Sequence, residues 1–381
     1  MAHGATSSPR RSTCYPAPVE LIAGLTDTAS ADPLAALAQP PEGATVVELR
    51  ADLVPGLAPS DAVAACPLPL LFTLRSEAEG GRGPDDPAQR TEILRRARDS
   101  GVALLDLETS RDRELIGRLG LEPERVVLSW HDPAGTPEDL EARARAMLEA
   151  PARWVKVVPT AATLRELEAV LSLHLELGSS RPEKRRLIAF SMGPVGLASR
   201  YLAPLLGPPL AFVAWSEGAP AAPGQITAAR LLAVVGHLRG RPSRLYGVVG
   251  ADVSRSLSPL LHSAAYRELD LPYLFIPLSV PSADELDHVF VARGRGLFDR
   301  LGLETGGWAV TTPYKRRALA AATVAAPRAK AADAANTLIL GPDRVVADTT
   351  DADGVVGALV SRGIDPRGAV ALVQGLSLIH I

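Results

Sequence analysis

The 381-residue sequence predicts an α/β chain in two parts, an eight-stranded (β/α)8 barrel followed by a smaller α/β unit. Three observations carry that prediction. Short apolar runs alternate with helix-period segments over about 220 residues. Polar residues inside those runs keep a two-residue period. After Arg241 the rhythm changes. Bulk composition agrees, since 47% hydrophobic residues suits a folded core. A net charge of -3 leaves no basic excess, which argues against a nucleic-acid partner. The two cysteines, Cys14 and Cys66, lack the number for a disulfide framework and the spacing for a metal site, and fit a reducing, cytoplasmic setting. No membrane partner is expected, because the most apolar region, 187–215, carries Arg200 and is broken by glycine and proline. The opening residues, 1–17, read as a disordered tail; they are basic and free of acids like a transit peptide, but short and without an apolar segment.

The barrel strands are read in order as VELIAGLT (19–26), TVVELRADL (45–53), LLFTLR (70–75), ALLDLE (103–108), VVLSWH (126–131), WVKVVP (154–159), LIAFSM (187–192) and AFVAW (211–215). Each is short and rich in Val, Leu, Ile or aromatics, and segments such as PEDLEARARAMLEA (137–150) between them have helical period. Alternation then places Glu48 with Arg50, Thr73 with Arg75, Asp106 with Glu108, Ser129 with His131, and Trp154 with Lys156 on common faces. These pairs fall at or near the C-terminal ends of five strands, where barrels of this type keep their active sites. The structural alternative is that Glu48 with Arg50 and Arg75 with Glu79 are ion pairs that only hold the barrel together.

Lys156 is the most informative residue. Neutralising a lysine at pH 7 costs roughly 4.6 kcal/mol, and a run of Trp154, Val155, Val157 and Val158 around it supplies the desolvation that does so. A neutral amine attacks carbonyls, and the resulting iminium acidifies the adjacent C–H. His131, on the neighbouring strand, could take that proton and return it to a departing hydroxyl. Arg200 in SMGPVGLASR suits a carboxylate, and Arg50 and Arg75 supply field or hydroxyl contacts. The bland readings are a snorkelling lysine and a turn histidine beside Asp-Pro.

The motifs VVELRADL, FTLRSEAEGG, SWHDPAGTP, WVKVV, SMGPVGLASR and APGQ, in that order across about 19–237, resemble type I 3-dehydroquinate dehydratase. The resemblance implies dehydration of 3-dehydroquinate to 3-dehydroshikimate by a barrel spanning 18–240, with no cofactor and no metal. It implies Lys156 as the iminium-forming lysine, His131 as acid and base, and Glu79 as support for proton transfer. Glu48, Arg50, Arg75, Arg200 and Gln225 match substrate-binding positions. One position departs from the pattern, since the usual serine four residues before the glutamine is Ala221.

After a linker near LRGRPSR (238–244), the unit at 244–365 reads as a strand, a serine-bearing turn, a helix and another strand. It resembles the substrate-binding domain of shikimate dehydrogenase through YGVVGADVSRSLSPLLHSAAY, VTTPYK, AANTL and DTTDADGVVGAL. That resemblance implies Lys315 and Asp351 as a catalytic pair, and Ser256, Ser258, Thr311 and Asn336 as contacts for 3-dehydroshikimate or shikimate. Taken singly, serine and threonine before proline are ordinary turn residues. The family also implies NADP. GAVALVQG (368–375) looks like the first strand of its domain, yet LSLIHI follows in place of a G-x-G-x-x-G turn, and neither GVVGA (247–251) nor GRG (294–296) fits that fingerprint. The expectation is a truncated nucleotide domain at 366–381, failed hydride transfer, and apolar surface left exposed on 244–365. The rival readings are a non-catalytic sensor of quinate or shikimate and a different Schiff-base barrel lyase. Nothing in the sequence signals an oligomeric state.

Overall fold

The computed structural model describes residues 19–179 and 185–370. Eight parallel strands form the first sheet: β1 (Glu20–Leu25), β2 (Val46–Arg50), β3 (Leu70–Thr73), β4 (Leu104–Glu108), β5 (Val126–Asp132), β6 (Trp154–Pro159), β7 (Leu187–Ala189) and β8 (Leu210–Ala214). Their order is β7-β6-β5-β4-β3-β2-β1-β8. The sheet is a nearly closed barrel, as the alternating runs predict, with no ladder between β7 and β8 among the described residues.

Period two sorts the strand residues into an outside and an inside. Val47, Leu49, Phe72, Leu105, Leu107, Leu128, Val155 and Val157 pack outward beneath the helices. Val46, Leu71, Leu104, Val127, Trp154, Ile188 and Leu210 fill the interior as an apolar floor. Two residues further along five of these strands come Glu48, Thr73, Asp106, Ser129 and Lys156, all buried. A dry floor under a polar layer follows directly from strand alternation. Local chemistry fixes the helices around it. Thr163 and Glu166 form a reciprocal cap that starts the helix Leu164–Glu176, and Asp86 accepts the Gln89 N–H at 2.7 Å to start Pro87–Asp99.

No helix or strand occupies 236–243. Beyond it lie β9 (Arg244–Gly250), the helix Ser258–Glu268, β10 (Tyr273–Ser279), β11 (Thr305–Val310), β12 (Val324–Ala325), β13 (Thr337–Leu340) and β14 (Val345–Asp348). They form a second sheet in the order β10-β9-β11-β13-β14-β12. Its first three strands are parallel, and β13 runs antiparallel to both β11 and β14. One apolar cluster spans the two parts, joining Leu164, Leu171, Tyr201 and Leu231 of the barrel side to Leu245, Leu274, Leu278 and Phe298. Arg300 grips Glu168 across the junction at 2.5 and 2.8 Å. The helix Asp351–Val360 has no buried residue, and Ile339, Val356, Val360 and Ile364 stand exposed. The N-terminal tail at 1–17 and residues 371–381, most of the expected nucleotide-domain start, lie outside the described residues. Among the described residues, no helix is long and apolar enough to cross a membrane.

Candidate active site

At the C-terminal ends of the barrel strands opens a cavity of about 360 Å³, lined by Lys156, His131, Glu79, Glu48, Arg50, Arg75, Arg200 and Gln225 among others. These eight residues, expected from the sequence as catalytic or substrate-binding, therefore line one space, whereas Thr73, Asp106, Glu108, Ser129 and Trp154 of the five strand pairs do not line it. Lys156 enters from the middle of β6, 5% exposed, with its Nζ 3.7 Å from the Phe212 ring centre and 3.7 Å from Asp106 Oδ2. Burial lowers its pKa; Glu48 and Asp106 oppose the shift, while Arg75 and Arg50 add to it. His131 lies one residue before the end of the adjacent strand β5, where Ser129 is paired in register with Lys156. Burial, then the Arg75, Lys156, Arg50 and Arg200 cations, hold its imidazole well below the ordinary 6.5, so the ring is neutral at pH 7.

Glu79 sits on a short turn after β3 and reaches His131 twice. Its Oε2 lies 3.1 Å from Nδ1 and accepts the His131 backbone N–H at 3.0 Å. Burial, partly offset by Arg75, pushes the Glu79 carboxyl up to about 7. With Glu79 ionised, the imidazole proton resides on Nδ1 and Nε2 is left as the base. The two glycines of RSEAEGG make this turn possible. Gly80 adopts φ 83°, and a Cβ on Gly81 would collide with the Arg75 carbonyl.

Arg75 is a hub. It donates to Asp106 at 2.8 Å, Ser129 at 2.9 Å, Glu79 at 3.1 Å and Glu108 at 3.2 Å, so its charge is fully countered within the barrel. Asp106 also accepts from Ser129 at 2.5 Å. Burial pushes the Asp106 carboxyl up, but Arg75, Lys156 and Ser129 together outweigh it and hold it below its ordinary value. Arg200 contrasts with Arg75. It comes from the helix Gly193–Leu206, lies against the Phe190 ring at 4.9 Å and donates one bond, to the Pro223 carbonyl at 3.1 Å. Its Nε has no partner, and no acid pairs with it among the described residues. A buried, unpaired guanidinium on the wall of a cavity is a seat for an anion. Gln225 accepts the Ala221 N–H at 2.7 Å, and the Ala221 methyl faces the cavity where the resembled family has a hydroxyl.

The ion pair between Glu48 and Arg50 considered as a structural alternative does not form. Arg50 clasps Asp52 with two bonds, 2.9 and 2.8 Å, and Glu48 accepts from Thr73 at 2.8 Å. The pair between Arg75 and Glu79 is present, as one contact of the larger hub. Sequence reasoning missed Asp52 and the aromatic walls Phe190 and Phe212. Alternation had placed Asp106 inside the barrel without revealing its closeness to Lys156.

A second polar cluster lies in the second unit, where Lys315 and Asp351 each begin a helix and Asn336 precedes β13. Lys315 donates to Asp351 at 2.7 Å, and Asn336 donates to the other Asp351 oxygen at 2.8 Å. Ser256 occupies the turn after β9 and Ser258 opens the helix that follows, where the Ser258 N–H bonds Ser256 Oγ at 3.2 Å, and Thr311 follows β11. No hydrogen bond ties Ser256, Ser258 or Thr311 to the Lys315 cluster among the described residues.

Comparison with known families separates the two parts. A family model described as type I 3-dehydroquinase matches residues 25–241, more than half of the chain. The chain belongs to the type I 3-dehydroquinase family. A second model, the shikimate dehydrogenase substrate binding domain, matches 248–338 of this dehydroquinase-family chain. The bifunctional 3-dehydroquinate dehydratase/shikimate dehydrogenase of Arabidopsis thaliana, described as chloroplastic, is 30% identical over 83% of the chain and 52% of its own length. The pentafunctional AROM polypeptide of Komagataella phaffii is 31% identical over 81% of the chain and 20% of its own length. The chain thus spans about half or less of these relatives. A solved dehydroquinate dehydratase and shikimate dehydrogenase from S. pombe AroM is 24% identical, covers 90% of this chain and 67% of its own, and superposes with a TM-score of 0.49.

Shikimate dehydrogenase relatives imply NADP, and the described residues do not fit it. A Cβ on Gly247 would meet the Ile276 carbonyl at 2.5 Å, and one on Gly250 would meet the Thr311 methyl at 2.5 Å. These glycines answer to sheet packing, not to a phosphate. Gly296 precedes a helix of only four residues, and its N–H is taken by the Asp299 carboxylate at 3.0 Å. A carboxylate there repels a pyrophosphate.

Proposed function

We propose that the barrel, 18–240, dehydrates 3-dehydroquinate to 3-dehydroshikimate through a Schiff base on Lys156. The observation that carries this reading is a buried, pKa-depressed lysine and a neutral, Glu79-backed histidine lining one cavity together with the unpaired Arg200. Arg200 seats the substrate carboxylate, and Glu48, Arg50 and Gln225 contact its hydroxyls. Lys156 Nζ adds to the ketone, and loss of water leaves an iminium. His131 removes the proton from the adjacent carbon, and the electron pair enters the iminium as an enamine. The enamine expels the hydroxyl β to the former ketone as His131 returns its proton, releasing a second water. Addition of one water to the iminium frees the amine and the conjugated ketone, so the net change is loss of one water. Glu79 offsets the charge that His131 gains between these steps. No cofactor or metal takes part in this scheme.

The unit at 244–365 holds 3-dehydroshikimate or shikimate in this reading, with Lys315 and Asp351 at the reacting carbonyl and Ser256, Ser258, Thr311 and Asn336 around it. No hydride step is assigned to the described residues, because they form no dinucleotide cradle. The free Cys66 is consistent with a reducing compartment such as the cytoplasm.

The test is borohydride reduction in the presence of 3-dehydroquinate, followed by mass spectrometry. An adduct on Lys156, together with the ultraviolet absorbance of the conjugated product in unreduced samples, supports the reading. A folded chain with an unmodified Lys156 refutes it and leaves a ligand sensor. An adduct without that absorbance favours a different Schiff-base lyase.

A further inference from the structure

The serine turn of the second unit is held partly from the barrel. Its own unit gives the turn five bonds: Ala251 N to the Thr312 carbonyl at 3.3 Å, Val253 N to Ser279 Oγ at 3.3 Å, Ser254 N to Asp252 Oδ1 at 2.9 Å, Ser256 N to the Val253 carbonyl at 3.0 Å, and Ser258 N to Ser256 Oγ at 3.2 Å. The carbonyls of Ser254 and Ser256 instead accept from one guanidinium nitrogen of Arg230, at 3.0 and 3.4 Å. Arg230 belongs to the barrel helix Ala228–Val235, 24 and 26 residues upstream of the groups it holds.

Arg230 is well placed to act as a fixed arm. Its helix is capped at the start by Thr227, whose Oγ1 accepts the Arg230 N–H at 3.3 Å, and it packs against the helix Ser258–Glu268 that the turn leads into. The side chain also interacts with the buried Tyr201 hydroxyl. No acid neutralises Arg230 among the described ion pairs, so its charge is directed at the turn. Two carbonyls of the turn bonded to one cation fix the peptide planes on either side of Arg255 and Ser256, just ahead of Ser258.

We propose that Arg230 is a positioning residue for the carboxylate seat of the second unit, supplied by the barrel. This rests on the reading that Ser256 and Ser258 receive the carboxylate of a shikimate-type ligand. It gives the fusion of the two parts a chemical reason, because the second seat is incomplete without a barrel side chain.

The experiment is calorimetric titration of the full chain with shikimate, alongside 3-dehydroquinate turnover, thermal unfolding and amide hydrogen exchange. Arg230→Ala is expected to raise the shikimate Kd about tenfold, speed exchange at 254–258, and leave 3-dehydroquinate turnover at the wild-type rate. Arg230→Lys, which keeps a cationic donor, is expected to recover part of the affinity. An unchanged Kd in Arg230→Ala overturns the positioning role, whatever the exchange shows. Equal losses in both variants that track a fall in Tm assign Arg230 to folding alone and overturn it too, as does lost 3-dehydroquinate turnover. A wild-type chain with no affinity for shikimate sinks the second-site reading itself, and the role of Arg230 falls with it.

Discussion

Arg200→Met sets binding against folding at the barrel mouth. Arg200 is 6% exposed, has no acid partner among the described residues, and burial pulls its pKa down from the ordinary guanidinium range to about 10. At about 1.4 kcal/mol per pH unit, burial therefore costs the charged form about 3 kcal/mol. The sign is set by proton linkage. From about 10 up to the ordinary guanidinium range the unfolded chain keeps a proton that the folded site releases, so stability rises with pH there, and below 10 the full cost stands. Methionine removes the charge and roughly keeps the volume. The losses are one hydrogen bond to the Pro223 carbonyl and the contact with Phe190, together about 1–2 kcal/mol. The variant is expected to gain about 1–2 kcal/mol in urea unfolding without ligand, while kcat/KM for 3-dehydroquinate falls by about 10²–10³, chiefly through KM. A variant that is less stable than wild type shows that the guanidinium is already compensated. Undiminished kcat/KM shows that it seats no substrate carboxylate, and either result refutes the reasoning.

Glu79→Gln tests the acid behind His131. Glu79 binds its proton more tightly when folded, near 7 against 4.5, so its contribution to stability falls as pH rises from about 4.5 to about 7. The variant should gain on wild type by about 3 kcal/mol across that window in denaturant titrations, and parallel curves would count against the assignment. Asp106→Asn removes a carboxylate that raises the Lys156 pKa. The pH of half-maximal borohydride trapping should move down, and an unmoved or upward midpoint contradicts the electrostatic account. Ala221→Ser restores a hydroxyl where the cavity wall carries a methyl, and a substrate hydrogen bond of about 1 kcal/mol corresponds to a rise in kcat/KM of about fivefold. A kcat/KM equal to that of wild type shows that the hydroxyl does not reach the substrate.

The strands and the inward face of the barrel were readable because both depend on local rules, the length of an apolar run and the alternation of side chains along it. Lys156, His131, Glu48 and Arg75 come together for that reason. Arg200 and Gln225 lie on a helix and a loop, where no period points inward: the guanidinium's chemistry and then the resemblance named Arg200, and the resemblance alone named Gln225. Asp52 was unreadable for another reason: the chain turns after Arg50, with Leu53 N bonded to the Arg50 carbonyl, and alternation no longer applies. In the second unit, Asn336 and Asp351 meet because β13 and β14 pair antiparallel, with Thr337 opposite Asp348, and pairing partners are not written in either strand alone.

The fate of Glu48 and Arg50 shows how such non-local contacts decide the chemistry. Both are buried on β2, and Arg50 is satisfied from beyond the end of its strand while Glu48 is satisfied from β3. Had the two paired with each other, a carboxylate and a guanidinium would have been spent beside the lysine. Instead Asp52 supplies the counter-charge on the loop side, where it also accepts the Arg82 N–H at 3.2 Å and ties β2 to the Glu79 turn. Glu48 keeps its Oε2 toward the cavity side of Gly24, 3.4 Å from where a Cβ there would stand, so any larger residue at 24 would press on it. Glu48 and Arg50 are thus held by separate anchors, Thr73 and Asp52, while Asp106, Glu79 and Glu108 share the Arg75 hub, so none of these carboxylates depends on Lys156 alone for a partner.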